Sequence, residues 1–132
     1  MSRMMFVNLP VRDLDRSVAF FSALGFEFNA AFTDHNATCM VLSEQAFVML
    51  LVQPYYASFT TKPLADPATT SGAILAVSAA SRAEVDTLVD AALAHGATPV
   101  QDPQDQGYLY GRSFFDLDGH GWEVMWMDPS AA

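Results

Sequence analysis

One cysteine, six basic residues and no long apolar run set the first limits on this 132-residue chain. With Cys39 alone, no disulfide can close within the chain and no cysteine-based metal site can be assembled from it. That scarcity fits a reducing compartment, and a cytoplasmic location is expected. Six Lys and Arg stand against fifteen Asp and Glu, a formal charge of −9. Such a field disfavours nucleic acid and anionic membrane as partners. A neutral or cationic small molecule suits it. The apolar run from Met4 to Val7 is broken by Asn8 and Pro10, far short of a signal-peptide core or a membrane span. Glycine-rich phosphate loops, dinucleotide fingerprints and Ser-His-Asp spacings are also lacking.

What the chain has is apolar residues, 52% of the total against 16% charged. That balance suits a filled core and some apolar surface hidden in an oligomer. The length allows one ordinary domain, residues 1–132, and is short for two independent cores of typical size.

Residues 4–9 read as a strand, and Asp13 opens a helix whose apolar positions recur at three- and four-residue steps until Gly25 stops it. Three strands are expected over 26–33, 37–43 and 46–53, separated by turn-forming residues. Three prolines and a Ser/Thr cluster mark a linker over 54–71, whose Tyr55, Tyr56 and Phe59 suggest a first turn folded over something. A strand is expected at 72–79. Ser81 and Glu84 then form a capping box before a helix with Val85, Leu88, Val89, Ala92 and Leu93 on one stripe and Gly96 as its stop. A short run near 98–101 and strands at about 108–115 and 121–127 complete the chain. The order β-α-β-β-β thus occurs twice, in modules of about 4–53 and 72–128. Two curved mixed sheets of this kind can pack about a pseudo-twofold axis and leave a cleft between them, an α+β architecture.

The second module ends in the stretch RSFFDLDGHGWEVMWMD, residues 112–128. Strand alternation sets Trp122, Val124 and Trp126 on one face, and Glu123, Met125 and Met127 on the other. A carboxylate among such neighbours calls for a cationic partner, a metal or a catalytic role. With a turn at 116–119, antiparallel pairing would put Arg112 opposite Glu123 and Tyr110 opposite Met125, an ion pair as plausible as a functional site. His120 with Asp116 and Asp118 does not make a calcium loop. An EF-hand needs glycine sixth and glutamate twelfth, whereas Gly119 comes fourth and Glu123 eighth. Aromatic and Met side chains, Met49 and Tyr110 among them, can line a pocket, although most must fill the core. Cys39 lies in an apolar strand with no cationic neighbour in sequence, which suits an inert thiol.

The opening FVNLPVRDLDRSVAFFSALGFEF and the closing FFDLDGHGWEVMWMDP together resemble the vicinal oxygen chelate superfamily, which contains glyoxalase I, the bleomycin-resistance proteins and the extradiol dioxygenases. The resemblance spans essentially the whole chain and implies the two-module fold and a homodimer. Metal-dependent members carry ligands on the first strand, the fourth strand, the first strand of the second half and the last strand. Glu123 matches the last. The others fall on Asn8, within Met49–Leu51, and at or beside Ile74. One carboxylate and one amide are too few for a stable transition-metal site, so no metal is expected, and Glu123 with Asn8 would hold one if present.

The expected function is binding of a small organic molecule, without a cofactor, in an apolar cleft near Asn8, Met49, Tyr110, Arg112 and Met125, with Glu123 as the candidate catalytic base. The alternative is a divalent-metal lyase or isomerase resembling glyoxalase I (lactoylglutathione lyase), or a dioxygenase-like enzyme. A dimerising interaction module is a third reading.

Overall fold

A computed structural model describes residues 3–131, which divide into two compact units with the boundary between Leu64 and Ala65. In the first unit, β1 (Met5–Val11) leads to α1 (Leu14–Ala23), then β2 (Glu27–Asn29), β3 (Ala37–Val41), β4 (Ala46–Val52) and α2 (Gln53–Ala57). The sheet order is β1-β4-β3-β2, with β1 and β4 parallel and the remaining pairs antiparallel. Asp13 caps α1 by accepting a hydrogen bond from the Arg16 N–H at 3.1 Å, and Gly25, at φ 98°, leaves the helix in the left-handed region. Leu9, Val11, Met40, Val48 and Leu50 form a buried layer with Phe20 and Phe21 of α1.

The second strand is shorter than the 26–33 expected. After Asn29 the chain turns into a 3-10 segment, Ala30–Phe32, because the Asn29 side chain accepts from the Ala31 N–H at 3.0 Å. The stretch expected to start a linker is helical: α2 follows β4 directly, with Pro54 in its first turn, where the missing N–H costs nothing. It packs on β1 and β4.

The second unit comprises β5 (Ile74–Ser78), α3 (Arg82–Ala94), β6 (Thr98–Pro99), β7 (Gln104–Asp105), β8 (Leu109–Phe115) and β9 (Gly121–Met127). Its sheet runs β5-β9-β8-β6, with β7 also paired to β8. Ser81 accepts from the Glu84 N–H at 3.1 Å, and Glu84 reaches back to the Ala80 N–H at 2.5 Å. Val85, Val89 and Ala92 of α3 are buried with Phe114, Trp122 and Val124 of the sheet. Full burial of the Val and Phe side chains contributes on the order of 1.5–3 kcal/mol each. None of the helices among the described residues is long and apolar enough to cross a membrane.

The β8–β9 register differs by one residue from that expected. Phe115 pairs with Gly121, so the connection holds five residues, 116–120, and Ser113 rather than Arg112 faces Glu123. Asp116 causes the difference. Its Oδ1 accepts from the N–H groups of Asp118, Gly119 and His120, each at 3.0 Å, and its Oδ2 accepts from the Trp122 indole at 2.9 Å. Burial pushes the Asp116 carboxyl above the ordinary value, against the opposing pull of His120 and these donors.

Gly119 lies in that connection at φ 103°, and a Cβ there would sit 2.6 Å from the Pro67 carbonyl oxygen. Gly119→Ala should therefore destabilise the protein by more than about 2 kcal/mol. Its thermal unfolding midpoint should fall by roughly 10 °C, whereas Gly72→Ala, with open space around it, should stay close to wild type. Equal midpoints for the two variants would contradict this account of the turn.

Candidate functional site

Each sheet turns one face to its long helix, and strand alternation assigns the residues of the other. In the first unit that other face carries Phe6, Asn8 and Pro10 of β1 beside Phe47, Met49 and Leu51 of β4, in register. Ala37 and Cys39 of β3 continue it, opposite Leu51 and Met49. Phe6 and Phe47 stack at 4.9 Å between ring centroids.

A cavity of about 360 Å³ opens on this face. Its floor is Asn8, Met49, Leu51 and Ala37; one wall comes from Ala31, Phe32, Thr33 and Asp34, the other from Tyr55 and Phe59. The first wall is held by local hydrogen bonds. Thr33 Oγ1 donates to the Asn29 carbonyl at 2.8 Å and lies 2.9 Å from Thr38 Oγ1. Asp34 Oδ1 accepts from the N–H groups of Asn36 at 2.8 Å and Ala37 at 3.1 Å. The second wall follows from α2, which sets Tyr55 and Phe59 edge to face at 5.0 Å. Burial raises the Cys39 thiol, which suits the inert role expected of it.

Asn8 and Met49 therefore lie side by side in one pocket. Phe32, Thr33, Asp34, Tyr55 and Phe59 were not read as site residues from the sequence, although the aromatic run after β4 marked a turn with something to cover.

In the second unit the face turned away from α3 carries Glu123 and Met125, with Ala76 and Ser113 as neighbours of Glu123 on the flanking strands. Gly111, diagonal to Glu123, is buried, and a Cβ there would make ordinary contact with Glu123 Oε1 at 3.8 Å. Ala76 lies five residues before the N-cap Ser81, as Asn8 lies five before the N-cap Asp13. Glu123 is thus the second unit's counterpart of Met49.

Tyr110 and Arg112, expected near Glu123, stand on the opposite face, toward α3. This corrects the expected Arg112–Glu123 pair. Arg112 Nη1 contacts Asp86 Oδ1 and Asp90 Oδ1, both at 2.9 Å, and its side chain is 17% exposed. Tyr110 donates its hydroxyl to Asp86 Oδ1 at 2.6 Å. The Arg82 guanidinium lies 4.4 Å from the Tyr110 ring centroid and pairs with Asp105. The Tyr110 hydroxyl and then Arg112 hold Asp86 below the usual carboxylate value, and the same Asp86 bond, aided by burial, raises Tyr110.

At the positions where the resemblance implies metal ligands, the first unit offers the Asn8 amide and the apolar Met49–Leu51, and the second offers Ile74 and the Glu123 carboxylate. That donor set does not fit a divalent transition metal, which takes three or four strong donors. Among the described residues, no three His, Cys, Asp or Glu side chains group to hold one.

Residues 3–43 match a family described as bleomycin resistance protein-like, N-terminal. No curated protein matches the sequence. Among solved structures, a hypothetical protein from S. aureus is similar at 29% identity, with a TM-score of 0.80 over 95% of this chain and 94% of that one. A glyoxalase/bleomycin resistance protein/dioxygenase family enzyme from Burkholderia phytofirmans is 19% identical, with a TM-score of 0.78 over 96% and 99%. The genomically encoded fosfomycin resistance protein of Listeria monocytogenes, also 19% identical, has a TM-score of 0.67 over 95% and 90%. The last two likenesses are of fold.

Arg112→Met should lower stability by about 1 kcal/mol, since Asp86 and Asp90 are 47% and 68% exposed and solvent screens what they lose. Small-molecule binding should be unchanged; lost binding with stability intact would return Arg112 to the site. Because Asp86 is held low when folded, its contribution is present above the ordinary carboxylate value and lost as pH falls through the lower folded one. Urea unfolding should therefore show a smaller loss of stability on acidification in Asp86→Asn than in the parent, and identical profiles would contradict the assignment.

Proposed function

We propose that the chain belongs to the vicinal oxygen chelate superfamily, a reading supported by its fold and by the match over residues 3–43, and that it binds a small organic molecule in the first unit's pocket without the superfamily's metal. The observation that carries this reading is the cavity of about 360 Å³ lined by apolar and aromatic side chains with a few polar groups, Asn8, Thr33 and Asp34 among them. Small-molecule sites have that size and mixture: apolar walls supply affinity, and a few polar atoms orient the ligand. The matching family is named for resistance to bleomycin and one fold neighbour for resistance to fosfomycin; both names favour a protein that takes up a small organic compound. The metal-free form of the proposal rests on the donor set.

An enzyme acting through Glu123 is the second reading. Ala76 and Ser113, beside Glu123 on the flanking strands, are small, and a half-buried carboxylate so placed can take a proton from a bound substrate. This reading includes a lyase or isomerase resembling glyoxalase I.

Benzyl alcohol, titrated into the protein and followed by NMR, should shift the amides around Asn8, Ala37 and Met49, and Met49→Trp should abolish the response by filling the pocket. Shifts scattered over the surface, or unchanged in the variant, would sink the pocket. Protein purified without chelator should carry far less than one equivalent of zinc, nickel, manganese or iron. A stoichiometric metal lost in Glu123→Ala would overturn the metal-free reading in favour of the second.

A further inference from the structure

Resting on the pocket reading above, we propose that the ligand carries a positive charge beside an apolar body, an amine or quaternary ammonium seated between Asp34 and the rings of Phe32, Tyr55 and Phe59. Three observations in the first unit converge on that class. Asp34 is the acidic residue of the lining, and no Lys, Arg or His accompanies it. Its carboxylate is oriented: Oδ1 is taken by the N–H groups of Asn36 and Ala37, and Oδ2 takes part in neither bond. Phe32 and Phe59 are 63% and 68% exposed, large aromatic surfaces left uncovered on the two walls of one cavity.

The physical argument turns on what filling the pocket does to Asp34. A neutral ligand strips water from the carboxylate and returns nothing, and an anion adds repulsion. A cation replaces the lost hydration by direct attraction, and aromatic faces add to it because the ring quadrupole is negative above its plane. The formal charge of −9 on the whole chain raises the local concentration of cations and speeds their arrival. The apolar floor of Met49, Leu51 and Ala37 takes the uncharged part of the same ligand.

Three single-ring probes separate the possibilities: benzyltrimethylammonium, benzyl alcohol and phenylacetate, titrated at low ionic strength with NMR shifts as the readout. The cation should bind roughly tenfold more tightly than the alcohol, and phenylacetate more weakly than either. Asp34→Asn keeps the Oδ1 acceptor that holds the turn. It should bring the cation's affinity down to that of benzyl alcohol and leave the alcohol's own affinity unchanged. Added salt should narrow the gap in the parent protein. If all three probes bind equally at the pocket, or if Asp34→Asn keeps the preference for the cation, the charge assignment is wrong and the pocket reading survives. If none of the three shifts the pocket residues, both fall.

Discussion

The Asp116 carboxylate decides more of the second unit than any other single group. Three backbone N–H groups and the Trp122 indole converge on it. Together they hold the β8–β9 connection at five residues and anchor Trp122 in the core. Because side chains alternate along a strand, one residue more or less in that connection would exchange the two faces of β8 relative to β9. With five, Phe114, Arg112 and Tyr110 join Trp122, Val124 and Trp126 against α3, while Glu123 keeps Ser113 and Gly111 beside it. Leaving any of those buried donors unpaired would cost about 1–3 kcal/mol, which is why the connection is not free to shorten.

That register separates two kinds of polar group. Arg112, Tyr110, Asp86 and Asp90 form a joint between α3 and the sheet, where opposite charges meet. Glu123 is spared from this joint and stays on the face turned away from α3, with small neighbours. The first unit solves the same problem with less charge. Met49 stands where Glu123 stands in the second unit, and the polar groups of the pocket include Asn8, its partner on β1, with Thr33 and Asp34 of the 30–34 wall. Two units of similar topology thus differ in what they offer a ligand: a cavity of mixed polar and apolar lining with an oriented carboxylate at its rim, and a sheet face with a central carboxylate.

The elements themselves were largely legible. Both long helices announce themselves by caps, Asp13 and Ser81, and by glycine stops; β1, β3, β4 and β8 lie within the apolar runs bounded by turn residues, and β9 shows the strand alternation. The differences came where a side chain competes with the ladder or where a few residues decide. Asn29 bonds its own backbone and ends β2 early. A five-residue helix follows β4 where prolines and aromatics suggested irregular chain. Of the site, Asn8 and Met49 were found together in the pocket and Glu123 with Met125 on one face. The pairing of Arg112 with Glu123 failed because turn length cannot be counted from residue types alone when an Asp gathers three N–H groups.

The sequence by itself determined the order of the longer elements, the two-module pattern and the face on which each residue of a given strand lies, because these depend on local periodicity and residue chemistry. Only the tertiary structure decided which faces meet across strands and which turns rise beside the sheet. Asp34 shows the difference. In sequence it is one acid in a D-H-N turn; folded, it stands beside Phe32 at the edge of a cavity whose other wall is supplied by Tyr55 and Phe59. No local rule brings residues twenty positions apart to the same pocket; the pairing of β3 with β4 and the turn of α2 back over the sheet do so.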